Sequence, residues 1–141
     1  MGNLYDYFRA PGPEEAATVV KGGPADRFDT VEGLEPQVVL GQLIGFVRGV
    51  EWSVGLVGSD LLTEDDSEYD AWVVRLADDI RDTLADIPAD DQPVLAQRWE
   101  GIEELSMYTA PLNLLPELRK LVALAGRARD AGQHLYVWMS L

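Results

Sequence analysis

The sequence has 141 residues, of which 47% are hydrophobic and 26% are charged, so residues 1–141 are expected to form one folded domain. Its net charge of −14 argues against binding to nucleic acid or to an anionic membrane surface, because both attract basic proteins. Cysteine is absent, which excludes disulfides, thiol chemistry and zinc–thiolate sites. The sequence has neither an apolar run of roughly 20 residues nor a signal peptide, so we expect a cytoplasmic protein.

The first part of the chain is predicted to contain a strand and two helices. Aromatic residues on both faces of Asn3–Arg9 predict a strand in a sheet that is covered on both sides. Pro13–Lys21 begins with proline and two acids, which is typical of a helix N-terminus. Pro36–Arg48 is the most apolar stretch, and its length and spacing favour a helix over two strands. Gly41 and Gly45 lie four residues apart and would permit close packing of another element.

The middle of the chain is predicted to contain short extended pieces, an acidic loop, a strand and two helices. Apolar residues interrupted by glycine favour short extended pieces, and a dense run of acids favours a surface loop. β-branched and aromatic residues favour the strand, whereas apolar residues at helical spacing favour the helices. The predicted segments are Asp26–Gly33 as a loop that can include a short extended piece at Arg27–Val31, Glu51–Leu62 as one or two short extended pieces, Thr63–Asp70 as the acidic loop, Ala71–Leu76 as the strand, a helix that begins at Asp78 or Asp79 and continues through Ala85, and Asp90 to about Leu105 as the next helix.

The C-terminal stretch is predicted to form a helix followed by a final strand. Pro116 suits the first turn of a helix, and apolar residues recur at helical spacing from Leu118 to Ala128. Gly132 can adopt the left-handed conformation that ends a helix. His134–Leu141 is rich in aromatic and aliphatic residues, and we expect it to pair in a sheet because a frayed apolar strand would be costly.

These elements together predict an α+β fold. We expect one mixed β-sheet of about three to five strands with helices packed on it. The first and last strands are both rich in aromatic residues, so both are expected to lie in that sheet. Their order within the sheet is left open.

His134 is the only histidine in the sequence and the first candidate for acid–base chemistry. No serine, threonine or acid lies at a spacing typical of a catalytic triad with it, so a structural role is favoured. The acidic run Glu64–Asp70 lacks the alternating acids and central glycine of a calcium loop. We therefore expect no metal, no cofactor and no catalytic residue, and a non-enzymatic protein is favoured over an enzyme.

The stretch around Trp99 is the second candidate site. On a continuous helix, Glu100 and Glu104 share a face, with Glu103 beside them. A tryptophan bordered by acids can line a pocket for a cationic or polar ligand, or it can fill the core, which is the favoured interpretation. We expect any such pocket to include the final strand. The candidate ligand-binding residues are Trp99, Glu100, Glu103, Glu104, His134, Tyr136 and Trp138.

Three motifs together resemble a known family. They are Met1-Gly2 before an aromatic strand, the stretch Trp99–Leu105 with its glutamates, and the ending Ala128–Trp138. This combination resembles the YfbM-like family of small uncharacterised bacterial proteins. Val38–Leu43 and the ending Leu135–Trp138 are similar to an actinobacterial subset of that family. The resemblance implies an α+β domain in the bacterial cytoplasm, and it implies no activity.

The strong negative charge leads the functional hypotheses. The main hypothesis is an acidic interaction domain that docks or neutralises a basic protein. A second acidic run extends from Asp78 to Asp91. Two alternatives stay open: the charge serves only to keep the domain in solution, or the protein is a small enzyme or ligand-binding protein with a pocket near Trp99, Glu103 and the final strand. The candidate partner-binding residues are Glu64, Asp65, Asp66, Glu68 and Asp70.

Overall fold

A computed structural model describes residues 4–63 and 70–141, which form five strands and five helices. The strands are β1 (Leu4–Ala10), β2 (Thr30–Glu32), β3 (Ser59–Leu61), β4 (Ala71–Leu76) and β5 (His134–Ser140). The helices are α1 (Pro13–Ala17), α2 (Val39–Arg48), α3 (Asp78–Ala85), α4 (Gln92–Glu100) and α5 (Leu115–Asp130). Within these described ranges, every helix is too short or too polar to span a bilayer.

The five strands form one sheet in the order β2-β1-β5-β4-β3, with every neighbouring pair antiparallel. This confirms the predicted α+β fold with both terminal strands in the sheet. The sheet is antiparallel rather than mixed, which corrects one detail of the prediction. The reason is that the chain leaves β4 for three helices and returns to the same end of the sheet, where Tyr136 lies opposite Arg75.

Hydrophobic cores lie on both faces of the sheet, as the alternating aromatic residues of β1 predict. Tyr7 points into the larger core beneath α2–α5, and the next residue, Phe8, points into the smaller core beneath α1. The ring of Phe8 lies 5.6 Å from the ring of Tyr136 and 5.5 Å from that of Phe28. The terminal strands therefore contribute to both cores.

The two glycines of α2 allow close packing, as predicted. A Cβ atom on Gly41 would lie 2.6 Å from the indole nitrogen of Trp52, and one on Gly45 would lie 2.8 Å from the carbonyl oxygen of Val50. The indole is fixed in place because its Nε1 donates a hydrogen bond to the carbonyl of Gln37, at 2.9 Å. The chain after α2 thus folds back directly onto that helix.

Several predicted boundaries differ from the structure. The helix predicted as Asp90–Leu105 is a 3-10 turn followed by α4, which ends at Glu100 because Ile102 is extended (φ −70°, ψ 151°). Helix α2 begins at Val39 rather than Pro36, because residues 36–38 form a turn, and the Glu35 carboxylate accepts hydrogen bonds from the backbone N–H groups of residues 37–39. Most of the segment Glu51–Leu62 is irregular, and only its end forms β3.

Removing the end of β5 should destroy most of the stability. A chain that ends at Tyr136 loses Val137, which is fully buried, together with the pairing partners of both β1 and β4. Each large buried side chain stabilises the fold by about 1.5–3 kcal/mol. We expect thermal unfolding of this truncated protein to lose its cooperative transition. Removal of Leu141 alone, which is exposed, is the control and should change the melting temperature little.

Alanine at Gly41 and alanine at Gly126 should change stability in opposite directions. Gly41→Ala forces the indole of Trp52 to move, and we expect a loss of about 1–3 kcal/mol. Gly126 lies inside α5, and the position that a Cβ atom would take there has no other atom nearby. Gly126→Ala should therefore add about 0.5–1 kcal/mol through helix propensity. Denaturant unfolding measures both. Equal effects of the two substitutions would contradict the close packing at Gly41.

Candidate functional site

Trp99 belongs to the larger core and does not line an open pocket. It is 2% exposed, and its Nε1 donates a hydrogen bond to the carbonyl of Val39, at 2.8 Å. The indole thus joins α4 to the first turn of α2. This is the core-filling alternative that the sequence favours.

The glutamates near Trp99 do not form one acidic face, because α4 ends at Glu100. Oε2 of Glu100 accepts a hydrogen bond from the backbone N–H of Leu114, at 2.8 Å. Oε1 of Glu104 accepts one from the Gln42 amide at 3.1 Å, and its Oε2 is buried without a partner among the described residues. Glu103 is exposed. Two of the three carboxylates therefore have structural contacts.

His134, Tyr136 and Trp138 lie on the sheet face opposite Trp99. They alternate along β5 with the residues that enter the larger core, and Tyr136 and Trp138 belong to the smaller core. Nε1 of Trp138 donates a hydrogen bond to the carbonyl of Val20, at 3.1 Å. The structure therefore does not bring the seven predicted ligand-binding residues into one pocket.

His134 forms an ion-pair cluster that its sequence position did not reveal. Its Nδ1 lies 2.7 Å from Oδ1 of Asp78, at the start of α3. Because a carboxylate can only accept, Nδ1 carries a proton and donates it, so Nε2 is the remaining nitrogen. The Arg75 guanidinium lies 3.2 Å from Nδ1 and 3.6 Å from Oδ2 of Asp78. Arg81 contacts Oδ1 of Asp78 at 3.5 Å.

Asp78 is held ionised by this cluster. Partial burial acts to raise the pKa of its carboxyl, but the hydrogen bond from His134 and the charges of Arg81, His134 and Arg75 outweigh it, so the pKa lies below its ordinary value of 3.8. Three arginines surround the turn before β5, because Arg9 and Arg81 also donate hydrogen bonds to Gln133. The cluster therefore joins β4, α3 and β5 at one end of the sheet.

Tyr136 is a buried neighbour of this cluster. It is 0% exposed, and its hydroxyl has no hydrogen-bond partner among the described residues. Burial raises its pKa, and the charges of Asp78 and Glu15 raise it further against the opposing charge of Arg75. An unpaired buried hydroxyl is destabilising by roughly 1–3 kcal/mol.

A concave surface lies elsewhere, between α2, α3 and α4. This groove has a volume of about 520 Å³, and most of its lining residues are apolar. Two aspartates, Asp86 and Asp91, stand among its lining residues, and Val94 beside them is 62% exposed. Asp86 is paired with Arg129, whereas Asp91 has no ion pair within the described part of the chain. The groove is lined by Phe46, Val47, Thr83, Asp86, Ile87, Pro88, Asp91, Val94 and Leu95.

This groove could not be predicted from the sequence, because two residues of α2 and the segment from the end of α3 to α4, which are far apart in the chain, line it together. The acidic run from Asp78 to Asp91 is visible in the sequence, but apolar spacing places Val94 and Leu95 on the buried face of a longer helix. The one feature of the sequence that could have pointed to the groove is the apolar residue Val94, which follows closely on a run of acids. A second depression of about 640 Å³ lies on the other side of Phe46, where the Arg98 guanidinium is stacked 4.2 Å from the ring centroid.

The predicted partner-binding loop falls largely outside the described residues. Glu64, Asp65, Asp66 and Glu68 belong to the undescribed segment 64–69. Asp70 is exposed and adopts a positive φ of 49°. Within residues 4–63 and 70–141, no group of three or more histidine, aspartate or glutamate side chains is arranged to hold a metal ion.

The chain matches no family model, no curated protein and no solved structure. The resemblance to the YfbM-like family therefore stays a prediction.

Phenylalanine at Tyr136 and phenylalanine at Tyr7 should change stability in opposite directions. Tyr136→Phe removes an unpaired hydroxyl and keeps the ring stacking, so we expect a gain of about 1 kcal/mol. Tyr7→Phe removes the hydrogen bond from Oη to the carbonyl of Leu34, at 2.6 Å, and should be destabilising by about 1 kcal/mol. Denaturant unfolding at neutral pH compares them. A loss in Tyr136→Phe would mean that its hydroxyl has a partner.

The stabilising effect of Asp78 should depend on pH. Because its pKa is lowered in the folded state, ionised Asp78 stabilises the fold above pH 3.8, and this contribution is lost as the pH falls through the lowered value. Asp78→Asn should lower the melting temperature at pH 7 by about 1–3 °C, since ion pairs this exposed are weak. The difference from wild type should shrink below pH 3.8. Asp60→Asn, at an exposed aspartate with no ion pair in the described residues, is the control.

Proposed function

We propose that this protein is an acidic interaction domain, and that the groove between α2, α3 and α4 binds a basic amphipathic segment of a partner protein. The supporting observation is that apolar side chains and two exposed aspartates, Asp86 and Asp91, line the same groove. An amphipathic helix bound in such a groove places its apolar residues against the apolar side chains of the lining and its basic residues beside the aspartates. The resemblance to uncharacterised bacterial proteins and the expected cytoplasmic location are compatible with this proposal, and both stay predictions.

The apolar part of the groove supplies the affinity in this proposal. Phe46 and Leu95 are only partly buried in the free protein, and Val94 is largely exposed. A ligand that covers these side chains removes apolar surface from water, which contributes roughly 25 cal/mol per Å² before the costs of association. A helix whose apolar and basic residues follow a different pattern would leave the apolar lining of the groove exposed to water. The proposed binding mode therefore selects for one pattern of residues.

In this proposal the negative charge of the protein raises the association rate with basic partners and so favours them over acidic ones. At a net charge of −14, long-range attraction accelerates the encounter with a basic segment and disfavours acidic ones. Asp91 is an exposed carboxylate in the lining of the groove and has no ion pair within the described chain. Salt should therefore slow association strongly while it changes the apolar contribution little.

The test uses a fluorescent synthetic peptide of about 18 residues, or roughly five helical turns, with lysine and leucine at amphipathic helical spacing. Val94→Asn should weaken its binding roughly three- to tenfold, whereas Val54→Asn, at a valine that is 90% exposed and outside the groove, should leave it unchanged. Asp91→Asn should slow association more than Asp60→Asn, which removes the same charge elsewhere. Equal affinities of the Val94 and Val54 variants would refute docking in the groove.

The acidic loop is tested in the same assay as an alternative docking surface. Amide substitutions at Glu64, Asp65, Asp66 and Glu68 remove four charges, while the groove stays intact. If these substitutions reduce the affinity for the peptide more than Val94→Asn does, the loop rather than the groove is the principal contact. If they only slow association at low salt, they act through general attraction.

A second candidate function, small-ligand binding or catalysis, is favoured by the pairing of His134 with Asp78. This pairing fixes Nδ1 as a donor and leaves Nε2 for a ligand or a substrate proton. The test observes the ring signals of the only histidine by NMR while phosphate or acetate is added at constant pH and ionic strength. A saturable shift that Asp78→Asn weakens would support this function. An unchanged spectrum into the millimolar range would leave the interaction domain as the better proposal.

A further inference from the structure

One aspartate of the groove already binds an arginine of the same chain. Nη1 of Arg129, near the end of α5, donates a hydrogen bond to Oδ1 of Asp86, at 2.7 Å. The side chains are 39% and 68% exposed, so the pair is accessible to solvent and weak. Arg129 itself does not line the groove.

We propose that Arg129 occupies the place of a partner arginine, so that docking exchanges an intramolecular ion pair for an intermolecular one. This inference rests on the proposed function and names the chemistry of the partner: an amphipathic helical segment with an arginine opposite Asp86. Arg129 is then a competitor that lowers the affinity of the groove for weakly basic segments.

The geometry favours arginine as the exchanging group. Only one oxygen of Asp86 is engaged, by a single donor, and Oδ2 has no partner within the described residues. An incoming guanidinium can bind both oxygens through two parallel hydrogen bonds, which a lysine ammonium cannot do in the same plane. A partner arginine therefore replaces one contact with two.

After a partner displaces Arg129 from Asp86, the charges of other acids still act on the Arg129 guanidinium. The hydrogen bond to Asp86 raises the pKa of Arg129 above its ordinary value, and the charges of Asp86, Asp82 and Asp130 also raise it. The charges of Asp82, which is itself paired with Arg81, and of Asp130 continue to act on Arg129 after Asp86 is taken by a partner. The released guanidinium thus keeps favourable electrostatic interactions, which makes the exchange easier than loss of an isolated pair.

The experiment measures binding of the lysine–leucine peptide and of a matched arginine–leucine peptide to four proteins. Arg129→Gln should bind the arginine peptide roughly two- to fivefold more tightly than wild type, which is the scale of an exposed ion pair. Arg119→Gln removes the same charge from the same helix at an exposed residue without a partner in the described chain, and should change affinity far less. Asp86→Asn combined with Arg129→Gln should abolish the gain. Wild type should prefer the arginine peptide to the lysine peptide.

The outcomes separate this inference from the proposed function. If Arg129→Gln and Arg119→Gln give the same affinity, or if the gain persists without Asp86, competition by Arg129 is refuted. Docking of the peptide in the groove would still be supported in that case, provided that Val94→Asn weakens binding and Val54→Asn does not. If neither peptide distinguishes Val94→Asn from Val54→Asn, the proposed function fails and the inference fails with it.

Discussion

The antiparallel pairing of β1 with β5 is the interaction on which the other layers depend. It joins seven residue pairs, from Leu4 opposite Ser140 to Ala10 opposite His134, and so connects the two ends of the chain. β5 is also paired with β4 on its other side, which makes the last strand the centre of the sheet. Both cores receive side chains from it. Neither core is complete until this long-range pairing has formed, and such non-local contacts form slowly.

The groove follows from the way in which the helices cover the sheet. α3 and α5 pack side by side, and α4 crosses beside α2, where Trp99 fixes it to the carbonyl of Val39. α4 has nine residues and follows directly on the 3-10 turn Ala89–Asp91. The exposed Val94 and the half-buried Phe46 face each other across unfilled space. These side chains form part of the apolar lining of the groove.

Most basic side chains of this acidic protein are used in local ion pairs. Asp29 binds Arg9 and Arg127, and Asp78 binds Arg75 and Arg81 together with His134. These pairs fix the end of α5 and the start of β5 against the neighbouring elements. Of the arginines of α5, Arg127 and Arg129 near its end are paired with acids. The remaining negative charge is thereby left to act on molecules outside the protein.

The sequence by itself determined the α+β class, the strand Ala71–Leu76, a helix that starts at Asp78 or Asp79 and continues through Ala85, and the helix–strand unit that begins at Leu115. These elements depend on local signals: apolar periodicity, proline at the first turn and glycine at the end. Only the tertiary structure decided the position of β5 in the centre, the separation of Trp99 from His134 by the sheet, and the contact of His134 with Asp78 across 56 residues. Such placements depend on packing between distant segments, and periodicity along the chain carries no information about which distant segment a face will meet.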